Sequence, residues 1–403
     1  MEPLEVIFIL LDTILLTYFS FTAIYIMLFA VASLFYKEKD KKNLSSTNKY
    51  NVTVLIPAYK EDSVIIDTAG RAMSHISKLT SFNVLVIADS LQNKTISTIK
   101  ETGADVLPVV LNKSTKAKSI NIALKTISNK TDYVIVLDAD NIMAEGFIDN
   151  IICKLEQGYA VVQGHRTAKN SNTNIAILDG LSESVNNAIF REGHRVLGLS
   201  ASLIGSGFVC EYNLFNELMN GANAVGGFDK ELELMLLERK VKIGYAKNAI
   251  VYDEKIQQAD AFVNQRRRWL SAQFLYFMHN ITNGFRQLIK HANIDYFDKL
   301  IQFFIPPRII TLGLTFIFGF IHLLISLLVV ESNSKIIAIV WFVLFSLSFC
   351  SILIVLPLKK LNTKTLKALL SIPKGFLLIM FALFKIKGAN KSFIHTNHGI
   401  NTK

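Results

Sequence analysis

The chain has 403 residues, 51% of them hydrophobic, with a net charge of +11 and a mean hydropathy of +0.36. It is too apolar, and too unevenly so, for an ordinary soluble protein, yet its mixed middle is long enough to bury one α/β core. The positive balance does not indicate nucleic acid, because the lysines cluster beside apolar runs as cytoplasmic flanks do, without zinc spacing, recognition-helix pattern or arginine-rich tail.

Val6 to Tyr36 is an apolar run of roughly 31 residues interrupted only by Asp12. As a helix it exceeds the roughly 30 Å apolar core of a bilayer, so it spans once. It has neither a basic leader nor a small-residue cleavage site, which makes it an anchor and not a removed signal. Asp12 would cost about 3 kcal/mol at mid-bilayer, so the surplus length is expected to set it near the outer interface. Lys37, Lys39, Lys41 and Lys42 place the other end in the cytoplasm. Three cysteines, Cys153, Cys210 and Cys350, are odd in number and far apart; they imply no disulfide framework and fit a reducing compartment.

After a polar linker (Asn43 to Tyr50), strand-like stretches alternate with helical patterns: Val52 to Ile56, Val84 to Ala88, Val106 to Leu111, Val134 to Leu137 and Ala160 to Gln163. Alternation of this kind predicts a mostly parallel sheet covered on both faces, an architecture that often binds nucleotides. The decisive stretch is YVIVLDADN, Tyr133 to Asn141, a buried-strand pattern ending in Asp138 and Asp140. Open α/β sheets bind ligands in the crevice at such strand ends. Two carboxylates two residues apart suit a hard divalent cation, although a strand also ends in Asp without one. The first strand runs into IPAYKED, where Pro57 is expected to stop it and Tyr59 and Glu61 are free to face a base and a ribose. The second ends in Asp89, and Lys116 precedes a helix where an ammonium can meet a diphosphate.

Gln257 to Lys299 reads as amphipathic helix with aromatics among arginines, suited to the plane of a membrane interface. Ile309 to Val330 and Ile336 to Leu356 are each long enough to span, joined by ESNSK; Lys359, Lys360, Lys364 and Lys367 return the chain to the cytoplasm. Gly375 to Phe384 is short enough to be re-entrant or interfacial, and the basic tail that follows favours the inside. The expected units are an anchor over 1–42, a cytoplasmic domain over 50–256, interfacial helices over 257–308, membrane segments over 309–387 and a tail over 388–403.

The QRRRW stretch at Gln265 to Trp269, coming after the DAD pair, resembles family-2 glycosyltransferases, specifically the membrane-embedded branch of hyaluronan, cellulose and poly-N-acetylglucosamine synthases. The similarity covers roughly Val52 to Ala272 and implies a GT-A, Rossmann-like domain. A juxtamembrane basic cluster with an aromatic belt residue is the alternative reading of QRRRW. The resemblance implies that Gln265, Arg268 and Trp269 close over a UDP-sugar, and that Pro57, Tyr59, Glu61, Asp89, Lys116 and Asp138 border the nucleotide. Asp140, beside Asp138, would hold Mg2+ or Mn2+. The family's Thr-Glu-Asp base falls on Gly227, Phe228 and Asp229, which makes Asp229 the candidate base and Glu233 the fallback. Two family residues are replaced in that stretch, and Asn93 stands where many relatives have Asp. GSGFV, Gly205 to Val209, falls where the family approaches its acceptor, though a tight turn explains its glycines equally well.

The implied activity is inverting sugar transfer to a growing polysaccharide, processive, at the cytoplasmic face of a multi-pass membrane protein. Its partners would be a UDP-sugar, a saccharide acceptor and lipid, and no nucleic acid. Single addition to a lipid-linked or cell-envelope acceptor is the alternative, since few spans leave little wall for a channel without a homo-oligomer or secretion partner. A non-catalytic membrane partner is a third reading, motivated by the altered Thr-Glu-Asp stretch.

Overall fold

The computed structural model describes residues 3–38, 50–127, 131–222, 226–328, 334–357, 361–386 and 388. Lys39, Lys41, Lys42, most of the linker before Tyr50, the first residues of ESNSK, Lys359, Lys360 and the tail from 389 lie outside the described residues.

After the apolar helix α1 (Pro3–Ser33), the domain opens with β1 (Asn51–Tyr59), α2 (Ile65–Met73), β2 (Ser81–Asp89), α3 (Asn93–Glu101), β3 (Asp105–Val109), α4 (Lys116–Thr126) and β4 (Tyr133–Val136). These strands pair in parallel, because each is a buried β-branched run returned by a helix. Then follow β5 (Ile142–Met143), α5 (Phe147–Leu155), β6 (Val161–Ala168), α6 (Asn174–Asn187), a π-helical turn (Ala188–Gly193), α7 (His194–Val196), β7 (Phe208–Glu211), α8 (Tyr212–Gly221), α9 (Phe228–Glu238) and β8 (Ile243–Asp253). All eight strands form one sheet in the order β3-β2-β1-β4-β7-β6-β8-β5. Among the described residues the sheet is mostly parallel, as expected, with two exceptions: β7 runs antiparallel to both β4 and β6, and β5 antiparallel to β8. One face buries Ile120, Leu124, Phe208, Phe215 and Leu232, and the other buries Ile65, Ala69, Ile99, Ile148 and Ile151, so helices cover both.

Pro57 does not stop β1, which continues to Tyr59 in register with β2. Pairing with β4 ends at Leu55, so from Ile56 on β1 has β2 alone as neighbour, and a proline without N–H is tolerated there.

Beyond the sheet come α10 (Ala259–His291), α11 (Ile294–Phe304), α12 (Arg308–Leu328), α13 (Ser334–Val355), α14 (Thr363–Leu369) and α15 (Ile372–Phe384). Among the described residues three helices, over Val6–Ser33, Arg308–Leu328 and Ser334–Val355, are long and apolar enough to cross a membrane; α14 and α15 are bent 50° apart, as a broken span or re-entrant loop would be. Asp12 has a partner that the sequence reading did not foresee: His322 Nε2 of α12, 3.0 Å away. Along α10, Phe274, Met278, Phe285 and Ile289 stay more than half or about half exposed on one stripe, as an interfacial helix requires.

The apolar helix α1 packs on the domain. At Gly193 the backbone of the π-helical turn meets Phe29 of α1 so closely that a Cβ would lie 2.2 Å from the Phe29 carbonyl oxygen. Beside it, the buried His194 ring stacks on Phe29 at 3.7 Å, and its Nδ1 donates to the Ile189 carbonyl over 2.7 Å. Tyr25 of α1 donates to Asp298 of α11 at 2.7 Å, and His194 Nε2 lies 3.2 Å from the same carboxylate. Burial raises the Asp298 carboxyl, but His194, Tyr25 and Gln302 outweigh it and hold the group below the usual carboxylate range.

Gly193→Ala is therefore expected to push α1 off the π-helical turn and cost about 1–3 kcal/mol, the range for overpacking a tight contact. Thermal unfolding of the full chain in detergent measures it; an unchanged Tm would show that this contact is not tight.

Candidate active site

The carboxyl ends of β1, β2 and β4 open on one cavity of about 450 Å3. On its sheet side it is lined by Pro57, Tyr59, Glu61, Asp89, Asp138 and Asp140, with Lys116 beside them; on its helix side by Asp229, Gln265, Arg268 and Trp269. These eleven residues, and Glu233, line a single cavity; of GSGFV only Gly205 lines it, and Asn93 does not. Lys60 and Ser90, immediately after β1 and β2, have φ of 54° and 58°. Such left-handed residues turn the chain sharply out of the sheet.

After β4 the backbone turns at Asp138, with Asn141 N–H donating to the Asp138 carbonyl at 3.0 Å. This turn brings Asp138 and Asp140 toward Asp253 at the end of β8, and their carboxylate oxygens lie within 4.8 Å of one another. Asp140 accepts from the Glu254 N–H at 2.9 Å, and Asn141 Nδ2 donates to Asp253 at 3.1 Å, so the three groups are fixed by the backbone that carries them. An all-oxygen donor set of this kind fits a hard divalent cation. Asp253 escaped the sequence reading, although VYDEK carries the signal used for DAD, a β-branched run halted by Asp; Lys247 and Asn248 interrupt β8 and hid it.

Lys116 opens α4, whose Thr115 cap accepts from Lys118 N–H at 3.2 Å. Its ammonium bonds Asp138 and, at 2.6 Å, the Gly205 carbonyl. Gly205 and Gly207 have φ of 76° and 63°, and a Cβ on Gly207 would lie 2.6 Å from Val251, so both the turn and the close packing require glycine.

Asp229 stands in the first turn of α9, behind a left-handed Gly227. Glu233, one turn on, is buried, 2.7 Å from Lys299 Nζ, and accepts from Leu203 N–H at 3.2 Å. Burial raises the Glu233 carboxyl even against Lys299. The fallback base is thus engaged in a buried pair that the sequence did not show.

Gln265, Arg268 and Trp269 share one face of α10, at helical spacing. Burial lowers the Arg268 guanidinium, and the charges of Asp138 and Asp229 act against that fall; all three residues line the cavity. Arg266 turns away, lies over the Trp269 and Phe262 rings at 4.3 and 4.7 Å, and pairs with Asp179.

The far half of the cavity is built on Glu183 of α6. Its carboxylate meets Arg166 at 2.9 Å, Arg191 at 3.4 Å and Lys255 at 3.6 Å. Burial would raise Glu183, but Arg166, Lys255 and Arg191 together hold it well below the usual range; Asp253 is lowered likewise against its burial, chiefly by Lys255 and Arg166.

Glu183, Asp253 and Asp298 each have a depressed folded-state value, so the stability they contribute is present above their ordinary values of 4.5, 3.8 and 3.8 and is lost as pH falls below them. Glu233, raised, has the opposite sign. The Tm in detergent is expected to drop on acidification below about pH 4.5. Glu183→Gln should lose about 3–5 kcal/mol near neutrality, since it removes the carboxylate that three cations share and takes from Arg191 its ion-pair partner, and should show a flatter acid limb; an acid limb as steep as the wild type's would remove Glu183 from the account.

The sequence model of the family described as glycosyltransferase like family 2 matches residues 50–272. No curated protein matches the chain. Among solved structures, a mannosyltransferase from Pyrobaculum calidifontis in complex with GDP-Man and Mn2+ is similar at a TM-score of 0.52 and 13% identity, over 93% of this chain and 97% of that one. A glucosyl-3-phosphoglycerate synthase from Mycobacterium tuberculosis, in complex with Mn2+, UDP and phosphoglyceric acid, is similar at 0.39 and 17% identity, over 53% of this chain and 74% of that one. The family match takes in more than half of the chain, from the first strand through the DAD turn to QRRRW, and with the GT-A fold around it the chain belongs to glycosyltransferase family 2.

Proposed function

We propose that the protein is an inverting, metal-dependent transferase that moves a sugar from a UDP-sugar to a growing polysaccharide. We place its catalytic domain at the cytoplasmic face of the membrane. The observation that carries this reading is the convergence of Asp138, Asp140, Asp229, Arg268 and Trp269, from distant parts of the chain, on one cavity. Asp138, Asp140 and Asp253 would hold Mg2+ or Mn2+, which supplies Lewis-acid stabilisation of the departing diphosphate. Lys116 and Arg268 bind and orient that diphosphate, and the Trp269 ring offers a flat face to the C–H surface of the sugar. The acceptor hydroxyl oxygen bonds to the anomeric carbon as the bond from that carbon to the diphosphate oxygen breaks. Asp229 takes the hydroxyl proton, and the sugar inverts because a single displacement is made.

A second reading, addition to a lipid-linked saccharide, is favoured by the small number of apolar helices among the described residues: three long enough to span, with one bent pair. They leave little wall for a channel within one chain.

Purified full chain supplied with a panel of UDP-sugars and an oligosaccharide primer should release UDP in the presence of Mn2+, and Asp140→Asn should lose the metal stimulation. Asp229→Asn should lower kcat by about 10^2 to 10^4 with donor KM little changed, as expected for a lost general base. A wild-type rate in Asp229→Asn would remove it from that role. Product length separates the two readings: a long ladder supports the polysaccharide, and a single added sugar the alternative.

A further inference from the structure

On and around α6, beside the part of the cavity built on Glu183, cations outnumber carboxylates; Arg166, Arg191 and Lys255 line the cavity, and Arg266 and Arg308 lie next to it, outside its lining. Arg166, Arg191, Lys255, Arg266 and Arg308 gather about Glu183, Asp253 and Asp179, five cations on three carboxylates. Glu183 is shared by three of them, and Asp179 is taken by Arg266.

Arg308 is the cation left over. Its guanidinium donates to Asn186 Oδ1 at 2.8 Å and to the Ser182 carbonyl at 3.2 Å, and lies 5.9 Å from the Phe190 ring, all neutral groups. Among the described residues it makes no ion pair, and its charged neighbours are Glu183, already committed, and the like-charged Arg266. Arg308 is also the first residue of α12, where the helix dipole adds positive potential. Arg266 contributes a spare donor, since its Nε is buried without a hydrogen-bond partner among the described residues. The two guanidinia are held on one face of α6, Arg266 by Asp179 and Arg308 by Ser182 and Asn186, so that one guanidinium without a carboxylate partner stands beside a spare Nε donor, a pairing suited to a phosphoryl group.

We propose that Arg308 and Arg266 hold the phosphate of a membrane lipid that carries the acceptor saccharide. The lipid source follows from position. Arg308 begins a helix long and apolar enough to cross a bilayer, which sets its guanidinium at the level of the headgroups. Its partner Asn186 and its neighbour Phe190 line the same cavity as Asp229, so a saccharide tethered by its phosphate here extends toward the base. The inference rests on the transferase reading and, within it, on the lipid-linked acceptor of the second reading, to which it adds the residues that would hold the lipid phosphate.

The test uses the full chain in phosphatidylcholine nanodiscs, titrated with short-chain phosphatidic acid as a lipid phosphate, with inorganic phosphate in parallel and UDP with Mn2+ as a donor-side control. Wild type should bind phosphatidic acid and be indifferent to inorganic phosphate at the same concentration. Arg308→Gln should weaken phosphatidic acid binding about tenfold, the loss of one charge-assisted bond, with UDP and Mn2+ binding kept. Arg308→Lys, which keeps the charge but not the fork, should recover part of that loss. Absence of phosphatidic acid binding to the wild type, or equal binding by Arg308→Gln, would overturn the site, and equal competition by inorganic phosphate would overturn its lipid source. Failure of UDP and Mn2+ to bind the wild type would instead count against the transferase reading, and the two failures are read separately.

Discussion

A single buried carboxylate, Glu183, ties the cavity together. It draws Arg166 from β6, Arg191 from the π-helical turn and Lys255 from beyond β8 to one point. No two of these cations are neighbours in the chain, and each is buried, so none of them would be tolerated there without a counter-charge. Arg191 reaches Glu183 because the wider π turn shifts the register of the helix after Asn187; such turns are often found at functional sites. Asn187 adds a donor to the Arg166 carbonyl at 2.8 Å and so locks the helix onto the strand.

The same network reaches the three carboxylates suited to a cation. Lys255 bonds Asp253 at 2.7 Å while facing Glu183, and Arg166 stands 4.0 Å from Asp253. The acidic group at the end of β8 is therefore positioned from the Glu183 side of the cavity, and Asp138 from the side of Lys116. Electrostatic preorganisation of this kind is what a reaction that expels a charged diphosphate demands, since dipoles and charges already in place need not reorganise as charge develops.

The part of the cavity around the DAD turn and QRRRW was legible because its signals are local. A β-branched run ending in Asp marks a buried strand and its exit at once, and Gln265, Arg268 and Trp269 announce a helical face by their spacing. The rest depends on contacts that no local pattern encodes. Glu183 sits on α6 among polar residues that read as an ordinary solvated face, and the partners of Glu183, Glu233 and Asp12 lie in segments far away in the chain. The β7 strand was hidden by the glycines of GSGFV, which suggest a turn, whereas Gly207 turns directly into a strand inserted antiparallel between β4 and β6. Pro57 misled in the other direction: its effect depends on whether a neighbouring strand needs its N–H, and past Leu55 none does.

The anchor helix belongs to the same argument. From Tyr25 on α1 a chain of polar contacts runs through Asp298 to Gln302, at 2.8 Å, and on to Lys299, which bonds Gln302, Ser202 at 3.0 Å and Glu233 at 2.7 Å. Gln302, Lys299, Ser202 and Glu233 all line the cavity. Glu233, raised by burial and balanced by Lys299, is one turn from Asp229 on α9, so the placement of Asp229 depends on α11, and α11 depends in turn on Tyr25. A helix that only held the domain near a membrane would have no reason to bury a tyrosine hydroxyl against an aspartate. Burying one satisfied polar chain from α1 to the cavity wall makes the apolar helices part of the fold of the site, and it explains why the backbone approach at Gly193 is so close.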